Sequence, residues 1–197
     1  MKRLALALVL TVSFGAQAAK FQKVVGQTFP EVKVKDLFSG KEVDLAAQLK
    51  SDSIKGAVVT FTCEGCPVAK AYEERINHLA AEHGDKIVFL MLNANASETA
   101  ERWTEYAKEQ GYKGHVAVDG GSKLAKELGA SVTPETYLLD KSGKILFHGP
   151  IDDSQDEKYI ESKLLSDAIA ALLADKEIAE DKREVQAFGC GIKFPKE

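Results

Sequence analysis

Residues 56–72 read GAVVTFTCEGCPVAKAY, and this stretch decides the fold class. Its first part, Gly56–Phe61, is uncharged and carries several β-branched residues, a pattern typical of a strand buried on both faces. Two cysteines follow at once, and Pro67 then stands where the first turn of a helix accepts a residue without an amide donor. Apolar residues recur at helical spacing after it. The stretch therefore predicts a buried strand that leads into a helix, with Cys63 and Cys66 at the junction.

Helices and strands are predicted to alternate on the carboxyl side of this junction, and a hairpin-like entry over residues 29–45 is predicted on its amino side. The predicted elements are strand 56–61, helix 67–83, strand 87–92, helix 98–110 capped by Ser97, strand 115–119, helix 122–128, strands 136–139 and 145–147, and helix 157–173. This order predicts an α/β protein with a central mixed β-sheet flanked by helices, an N-terminal hairpin and a C-terminal tail.

The first 18 residues have the build of a secretory signal peptide. A positive start at Met1-Lys2-Arg3 precedes an apolar run over residues 4–14, and Ala16-Gln17-Ala18 is a small-x-small cleavage site. The apolar run is shorter than the roughly 20 residues that a membrane-spanning helix needs, which argues against a permanent anchor. We therefore predict a periplasmic protein with no stable membrane insertion after cleavage. Export also places the cysteines in an oxidising compartment, where disulfides persist.

Length and composition predict one globular domain of ordinary size. The chain has 197 residues, of which 45% are apolar and 28% charged, and its formal net charge of −4 comes without a basic cluster. Nucleic acid is therefore excluded as a partner. Behind the signal peptide, residues 1–18, the predicted division is a domain over residues 19–175 and a tail over residues 176–197 that carries Cys190. The motifs predict no cofactor.

The cysteine pair suits thiol–disulfide chemistry because of its position. Amides and the macrodipole at a helix N-terminus stabilise an anion, so a cysteine there ionises more readily. The thiolate is the nucleophile of disulfide exchange. On this basis Cys63 is assigned as the nucleophile and Cys66 as the resolving thiol. Glu64 opposes the helix, because a neighbouring acid raises the pKa of a thiol.

Several motifs together resemble the thioredoxin superfamily, and within it the redoxin or AhpC/TSA-like branch. The matching stretches are TFTCEGCPVAKAYE at 60–73, VTPE at 132–135, GPIDD at 149–153 and GCGIK at 189–193. The last of them resembles a Gly-Cys-x-Ile-Lys ending of peroxiredoxin-like members. The resemblance implies a thioredoxin-like fold, a cis bond between Thr133 and Pro134 beside the cysteines, and exchange with the thiols or disulfides of proteins, including an unidentified redox partner. A cis Pro134 would present backbone groups that can pair with an extended substrate strand.

Two alternatives stay open at the level of the sequence. A thiol peroxidase could use Cys190 as a further thiol, although Gly56 stands where a peroxiredoxin-like motif has proline, and no arginine lies between Arg102 and Arg183. A copper- or zinc-binding module could instead use the two thiolates, with Cys190 or a histidine completing the ligand shell.

Cys190 has three interpretations: a third redox thiol that exchanges with Cys63 or Cys66, a metal ligand, or an isolated thiol. Its flanking glycines make the tail flexible enough to fold back. His148 and Arg75 are both expected to be solvated. No metal site is assigned, and the candidate catalytic residues are Cys63, Cys66, Thr133, Pro134 and Cys190.

Overall fold

The computed structural model describes residues 21–196, so the predicted signal peptide lies outside the described residues. The described part begins with the predicted N-terminal hairpin, in which β1 (Lys33–Lys35) pairs antiparallel with β2 (Glu42–Asp44). Within residues 21–196 there is no helix with the length and apolarity that crossing a membrane requires.

A five-stranded mixed sheet forms the centre of the protein, in the order β5–β4–β3–β7–β8. Its strands are β3 Gly56–Phe61, β4 Ile87–Asn93, β5 His115–Val118, β7 Glu135–Asp140 and β8 Ile145–Gly149. β3 lies in the middle, parallel to β4 and antiparallel to β7. Every residue of β3 and β4 is buried, as their uncharged sequences predicted. The predicted central mixed sheet is therefore confirmed.

Helices cover both faces of this sheet. In the described chain they are α1 Leu45–Leu49, α2 Pro67–His83, α3 Ala100–Glu109, α4 Lys123–Leu128 and α5 Leu164–Leu173. Successive strand residues point to opposite faces. Val59 accordingly packs in a cluster with residues of α1 and α4, and Val58 packs in another with residues of α2, α3 and α5. The predicted bounds of α2 are confirmed.

The start of α3 differs from the prediction. Its N-cap is Thr99, whose hydroxyl accepts a hydrogen bond from the amide of Arg102 at 3.3 Å, and the helix begins at Ala100. Ser97 was the expected cap, with Glu98 in the first turn. That prediction is wrong because the Glu98 carboxylate is directed to the loop between the two cysteines instead.

The last helix also starts later than predicted, at Leu164 rather than at Glu157. Residues Glu157–Tyr159 form a short 3-10 turn, capped by the Asp156 carboxylate, which accepts a hydrogen bond from the Lys158 amide at 3.0 Å. Ile160 then has extended backbone angles, so the turn cannot continue into a helix. The acidic run therefore caps a single turn and not α5.

The chain beyond α5 returns to the centre of the protein. There β9 (Cys190–Gly191) pairs antiparallel with β6 (Val132–Thr133), the short strand that precedes β7. Cys190 lies opposite Thr133 in this pairing. The two strands form a small separate sheet, and the fold thus brings the cysteine of the tail beside the predicted proline.

Candidate functional site

The cysteine pair lies at the carboxyl end of β3, at the entry to α2. Cys66 is the N-cap residue of α2, and its Sγ accepts a hydrogen bond from the Ala69 amide at 3.3 Å. Pro67 is the first residue of the helix, as predicted. The Ala69 amide in the first turn of the helix is therefore directed at Cys66, whereas Cys63 interacts with the amide of the cap residue.

One residue of β6 contacts both sulfurs. The Thr133–Pro134 bond is cis, as the resemblance implied. The Thr133 hydroxyl lies 3.2 Å from the Cys63 Sγ, and its carbonyl oxygen accepts a hydrogen bond from the Cys66 thiol at 3.1 Å. Thr133 thus fixes the position of the pair relative to β6.

Cys190 completes a cluster of three thiols. It is opposite Thr133 in the β6–β9 pairing and packs against Cys63 and Cys66. Cys190 also acts on Cys66 electrostatically, since its hydrogen bonding lowers the pKa of the Cys66 thiol. All three cysteines are free thiols in the structure. The fold therefore brings together all five residues that the sequence predicted for the site.

The two cysteines of the pair are buried and not open to solvent. Cys63 is 2% exposed and Cys66 is 1% exposed, although both follow a strand end at the edge of the protein. Cys190, itself half-buried, packs over them together with Val68. In this conformation a large partner therefore cannot reach either sulfur of the pair.

The pKa values of the two thiols are shifted in opposite directions. Burial raises the pKa of Cys63 to about 11, and the nearby Glu98 carboxylate adds to the increase. Burial also acts to raise the pKa of Cys66, but hydrogen bonds from Cys190, Thr133 and the helix N-terminus outweigh it and lower that pKa. In this conformation Cys66 is therefore the more acidic of the two thiols, because it occupies the helix cap.

Glu98 is a site residue that no sequence motif indicated. Its carboxylate accepts hydrogen bonds from the amides of Glu64 at 3.0 Å and Gly65 at 3.2 Å, the two residues between the cysteines. The side-chain amides of Asn93 and Asn95 donate to the same carboxylate at 2.5 and 3.1 Å. The available signal was a polar sequence directly after the buried strand β4, at the same sheet edge as the cysteines.

Replacing Glu98 with glutamine is expected to lower the pKa of Cys63 from its value of about 11, because the negative charge next to the thiol is removed. The measurement is a pH titration of the reduced protein, with the alkylation rate of each cysteine followed by mass spectrometry. Glu64→Gln is the matched control, since the Glu64 carboxylate forms an ion pair with Arg102 at 2.6 Å instead of contacting a sulfur. Equal shifts in both variants, or none in Glu98→Gln, would contradict this assignment.

A buried hydrogen-bond network supports the loop before Pro134. The Glu135 carboxylate accepts hydrogen bonds from the amides of Ser131 at 2.9 Å and Val132 at 3.2 Å. It also contacts the Tyr137 hydroxyl at 3.1 Å and the Nε2 of His148 at 2.8 Å. His148 is fully buried in β8, so the expectation that it is solvated is wrong. Its partner lies across the strand pair, beyond the reach of local sequence patterns.

Metal ligation was one alternative for the thiols. In the part of the chain that the structure describes, no three His, Cys, Asp or Glu side chains are grouped in a way that could hold a metal ion. The copper- or zinc-binding module and the thiol peroxidase both stay predictions from the sequence.

The class of the protein follows from the fold and the thiols taken together. A mixed sheet with helices on both faces carries its cysteine pair where the central strand enters a helix, opposite a cis proline. This arrangement is that of a thioredoxin-like thiol–disulfide oxidoreductase.

Comparisons with known proteins agree with this class. Thiol-disulfide oxidoreductase ResA from Bacillus thuringiensis (strain Al Hakam) is 30% identical over 143 residues, 71% of this chain and 78% of that protein. Thiol:disulfide interchange protein DsbE from Vibrio cholerae is 27% identical over 137 residues, 68% of this chain and 70% of that protein. The crystal structure of an uncharacterized conserved protein from Geobacillus kaustophilus has a TM-score of 0.79 at 26% identity, covering 90% of this chain and 95% of that one. The Redoxin family model matches residues 24–164, and the chain belongs to the Redoxin family.

Proposed function

We propose that this protein is exported to the periplasm and there exchanges disulfides with partner proteins through Cys63 and Cys66. One observation carries the proposal: Thr133, in the short strand β6, touches both sulfurs, and β6 pairs antiparallel with an extended segment, which in this structure is β9. A partner's extended strand along β6 would bring its own sulfur to the pair. The signal peptide predicted for residues 1–18 supports export.

The position of Cys66 at the helix cap assigns a role to each cysteine. In a Cys63–Cys66 disulfide, Cys66 is the better leaving group, because the Ala69 amide at the N-terminus of α2 donates to its Sγ and stabilises the departing thiolate whether or not Cys190 is close. A partner thiolate therefore attacks the Cys63 Sγ, the bond between the two cysteines breaks, and Cys66 leaves as a thiolate. A second thiol of the partner then attacks the partner's own sulfur in the mixed disulfide. Cys63 is released, the pair is reduced and the partner carries the new disulfide.

Reduction of a partner disulfide uses the same steps in reverse. The mixed disulfide again joins the partner to Cys63, and the Cys66 thiolate resolves it. The names of the relatives, thiol-disulfide oxidoreductase and thiol:disulfide interchange protein, support this chemistry. In either direction the intermediate that identifies the function is a covalent adduct on Cys63.

Cys66→Ser is expected to accumulate such adducts, because a serine hydroxyl cannot resolve the mixed disulfide on Cys63. The variant is expressed with its signal peptide in a bacterium with a periplasm, free thiols are blocked at lysis, and adducts are separated on a non-reducing gel. Mass spectrometry then identifies the cysteine that carries each partner.

Cys63→Ser serves as the matched control, since it also keeps two of the three thiols but removes the sulfur that partners attack. It is expected to trap far fewer adducts. Equal trapping on Cys66 in this control would reverse the roles assigned above, and the absence of adducts from both variants would overturn the proposed function.

A further inference from the structure

A segment of the tail crosses the site, and disulfide exchange with partners leaves it without a role. This segment, residues 188–193, is called the strap. Its β9 pairing places Cys190 opposite Thr133 and Gly191 opposite Val132. The Ile192 amide continues the ladder by donating a hydrogen bond to the Ser131 carbonyl at 2.9 Å. The strap therefore occupies the same edge of β6 at which an extended partner segment would pair.

Contacts on either side hold the strap across the cysteines. On one side, the Lys193 amide donates to the Asn95 side chain at 2.8 Å, and the Lys193 carbonyl accepts from the Ala96 amide at 2.7 Å. On the other, the ring of Phe188 packs edge-on against Tyr72 of α2, with 6.1 Å between centroids. The strap is thus attached to β6, to α2 and to the loop after β4, which also supplies Glu98.

A close approach at Gly189 makes this path possible. A Cβ added to Gly189 would lie 2.1 Å from the Thr133 carbonyl oxygen and 2.7 Å from its carbon. Both are backbone atoms, so no side-chain movement can relieve the clash. A Cβ added to Gly191 would meet its nearest neighbour, the Ser131 oxygen, only at 3.9 Å, which is ordinary contact. The first glycine is therefore required for the closed strap and the second is not.

We propose that the strap is an internal substrate: it occupies the partner edge of β6 and delivers Cys190 to Cys66, so that the protein interconverts between a Cys63–Cys66 and a Cys66–Cys190 disulfide. This inference rests on the proposed function, because the same edge and the same pair serve both. It assigns two states to the site. With the strap closed, Cys190 is the partner of Cys66, and with the strap lifted, a partner protein reaches Cys63.

The interconversion needs no added oxidant. Starting from the Cys63–Cys66 disulfide, Cys190 loses its proton to water and its thiolate attacks the Cys66 Sγ. The Cys66–Cys190 bond forms as the Cys63–Cys66 bond breaks, and Cys63 leaves as a thiolate that takes up a proton, with the Thr133 hydroxyl 3.2 Å from its Sγ as a hydrogen-bond donor. Because Cys63 is the poorer leaving group, we expect this step to be slower than the attack of a partner thiolate on Cys63. One disulfide and one thiol are present before and after, so the number of electrons on the protein is unchanged.

The strap is tested by Gly189→Ala, which changes no thiol. In the reduced protein this variant is expected to raise the rate of alkylation at Cys63 and Cys66 by iodoacetamide by about tenfold or more, because overpacking against backbone shifts the strap towards its lifted state. Gly191→Ala is the matched control and is expected to alkylate at the rate of the unchanged protein. Equal rates in the two variants would overturn the proposal.

The second disulfide is tested by peptide mapping. Unchanged protein and the Cys63→Ser variant are equilibrated with oxidised glutathione, blocked with acid and digested without reduction. A peptide pair joined through Cys66 and Cys190 is expected in both, and Gly189→Ala is expected to lower its yield at least several-fold. In Cys63→Ser, Cys190 is the only cysteine with which Cys66 can form an intramolecular disulfide. If the joined peptide pair is absent from this variant, the strap is not an internal substrate.

The outcomes separate this inference from the proposed function. Alkylation and internal mapping are measured on the purified protein and need no partner. A Cys66–Cys190 disulfide without partner adducts on Cys63 would reject partner exchange and keep the strap. Partner adducts without the Cys66–Cys190 disulfide would reject the strap and keep partner exchange.

Discussion

Replacing Glu135 with alanine is expected to lower the free energy of unfolding by about 3–5 kcal/mol, because each group that loses its only acceptor on burial costs about 1–3 kcal/mol. The loss leaves the Nε2 of His148, the Tyr137 hydroxyl and the amides of Ser131 and Val132 without their acceptor. These two amides belong to the loop that enters the cis Thr133–Pro134 bond. Denaturant unfolding measures the change, provided that the m-value, the slope of the unfolding free energy against denaturant concentration, is the same in both proteins.

Tyr137→Phe is the matched control for this prediction. It removes one hydrogen bond to the same carboxylate at 3.1 Å and leaves the contacts to His148 and to both amides in place. A loss of about 1 kcal/mol is expected, the usual net contribution of one hydrogen bond. If both variants lose the same amount of stability, Glu135 does not organise the loop as described.

Arg75→Ala is expected to cost about 3 kcal/mol or more of stability, because it leaves a buried carboxylate without its counter-charge. The Arg75 side chain is 13% exposed and pairs with Asp152, which is 5% exposed, at 2.5 Å. Its guanidinium also donates to the carbonyls of Ser154 and Gln155, and it lies 4.1 Å from the centroid of the Tyr72 ring. Thermal or chemical unfolding of the purified variant gives the loss directly.

Arg102→Ala is the matched control, because it removes an ion pair of similar length that is exposed to solvent and so shows how much burial contributes to the loss of stability. Arg102 pairs with Glu64 at 2.6 Å, nearly the same distance, but its side chain is 63% exposed. Water screens such a pair, so the expected loss stays within about 1 kcal/mol. A similar loss in both variants would show that burial does not decide the contribution of these pairs.

Local sequence patterns predicted the central sheet and the helix after it because burial and periodicity act within a few residues. The uncharged run Gly56–Phe61 and the helix Pro67–His83 have the predicted bounds. The start of the last helix was missed for the opposite reason. Residues before it are held in an extended path by Asp153, which accepts a hydrogen bond from the Glu161 amide at 3.0 Å, and no helical periodicity records that contact.

The members of the site were predictable, but their electrostatics were not. The cysteine motif and the resemblance named Cys63, Cys66, Thr133, Pro134 and Cys190. The pKa order depends on which cysteine caps α2 and on a carboxylate that is 35 residues further along the chain than Cys63. The solvated state expected for Arg75 was also wrong, since the side chain is enclosed by residues 152–155. Contacts between distant segments decide these properties.

The close approach of Gly189 to the Thr133 carbonyl bears on how variants of this chain are interpreted. A comparison based on cysteines alone would treat any sequence that has all three cysteines as equivalent to this one. Yet a single change from glycine to alanine at position 189 would place a methyl group 2.1 Å from a backbone oxygen and separate the third thiol from the other two. The three-thiol arrangement is therefore expected to depend on the residue before Cys190 as much as on the cysteine itself.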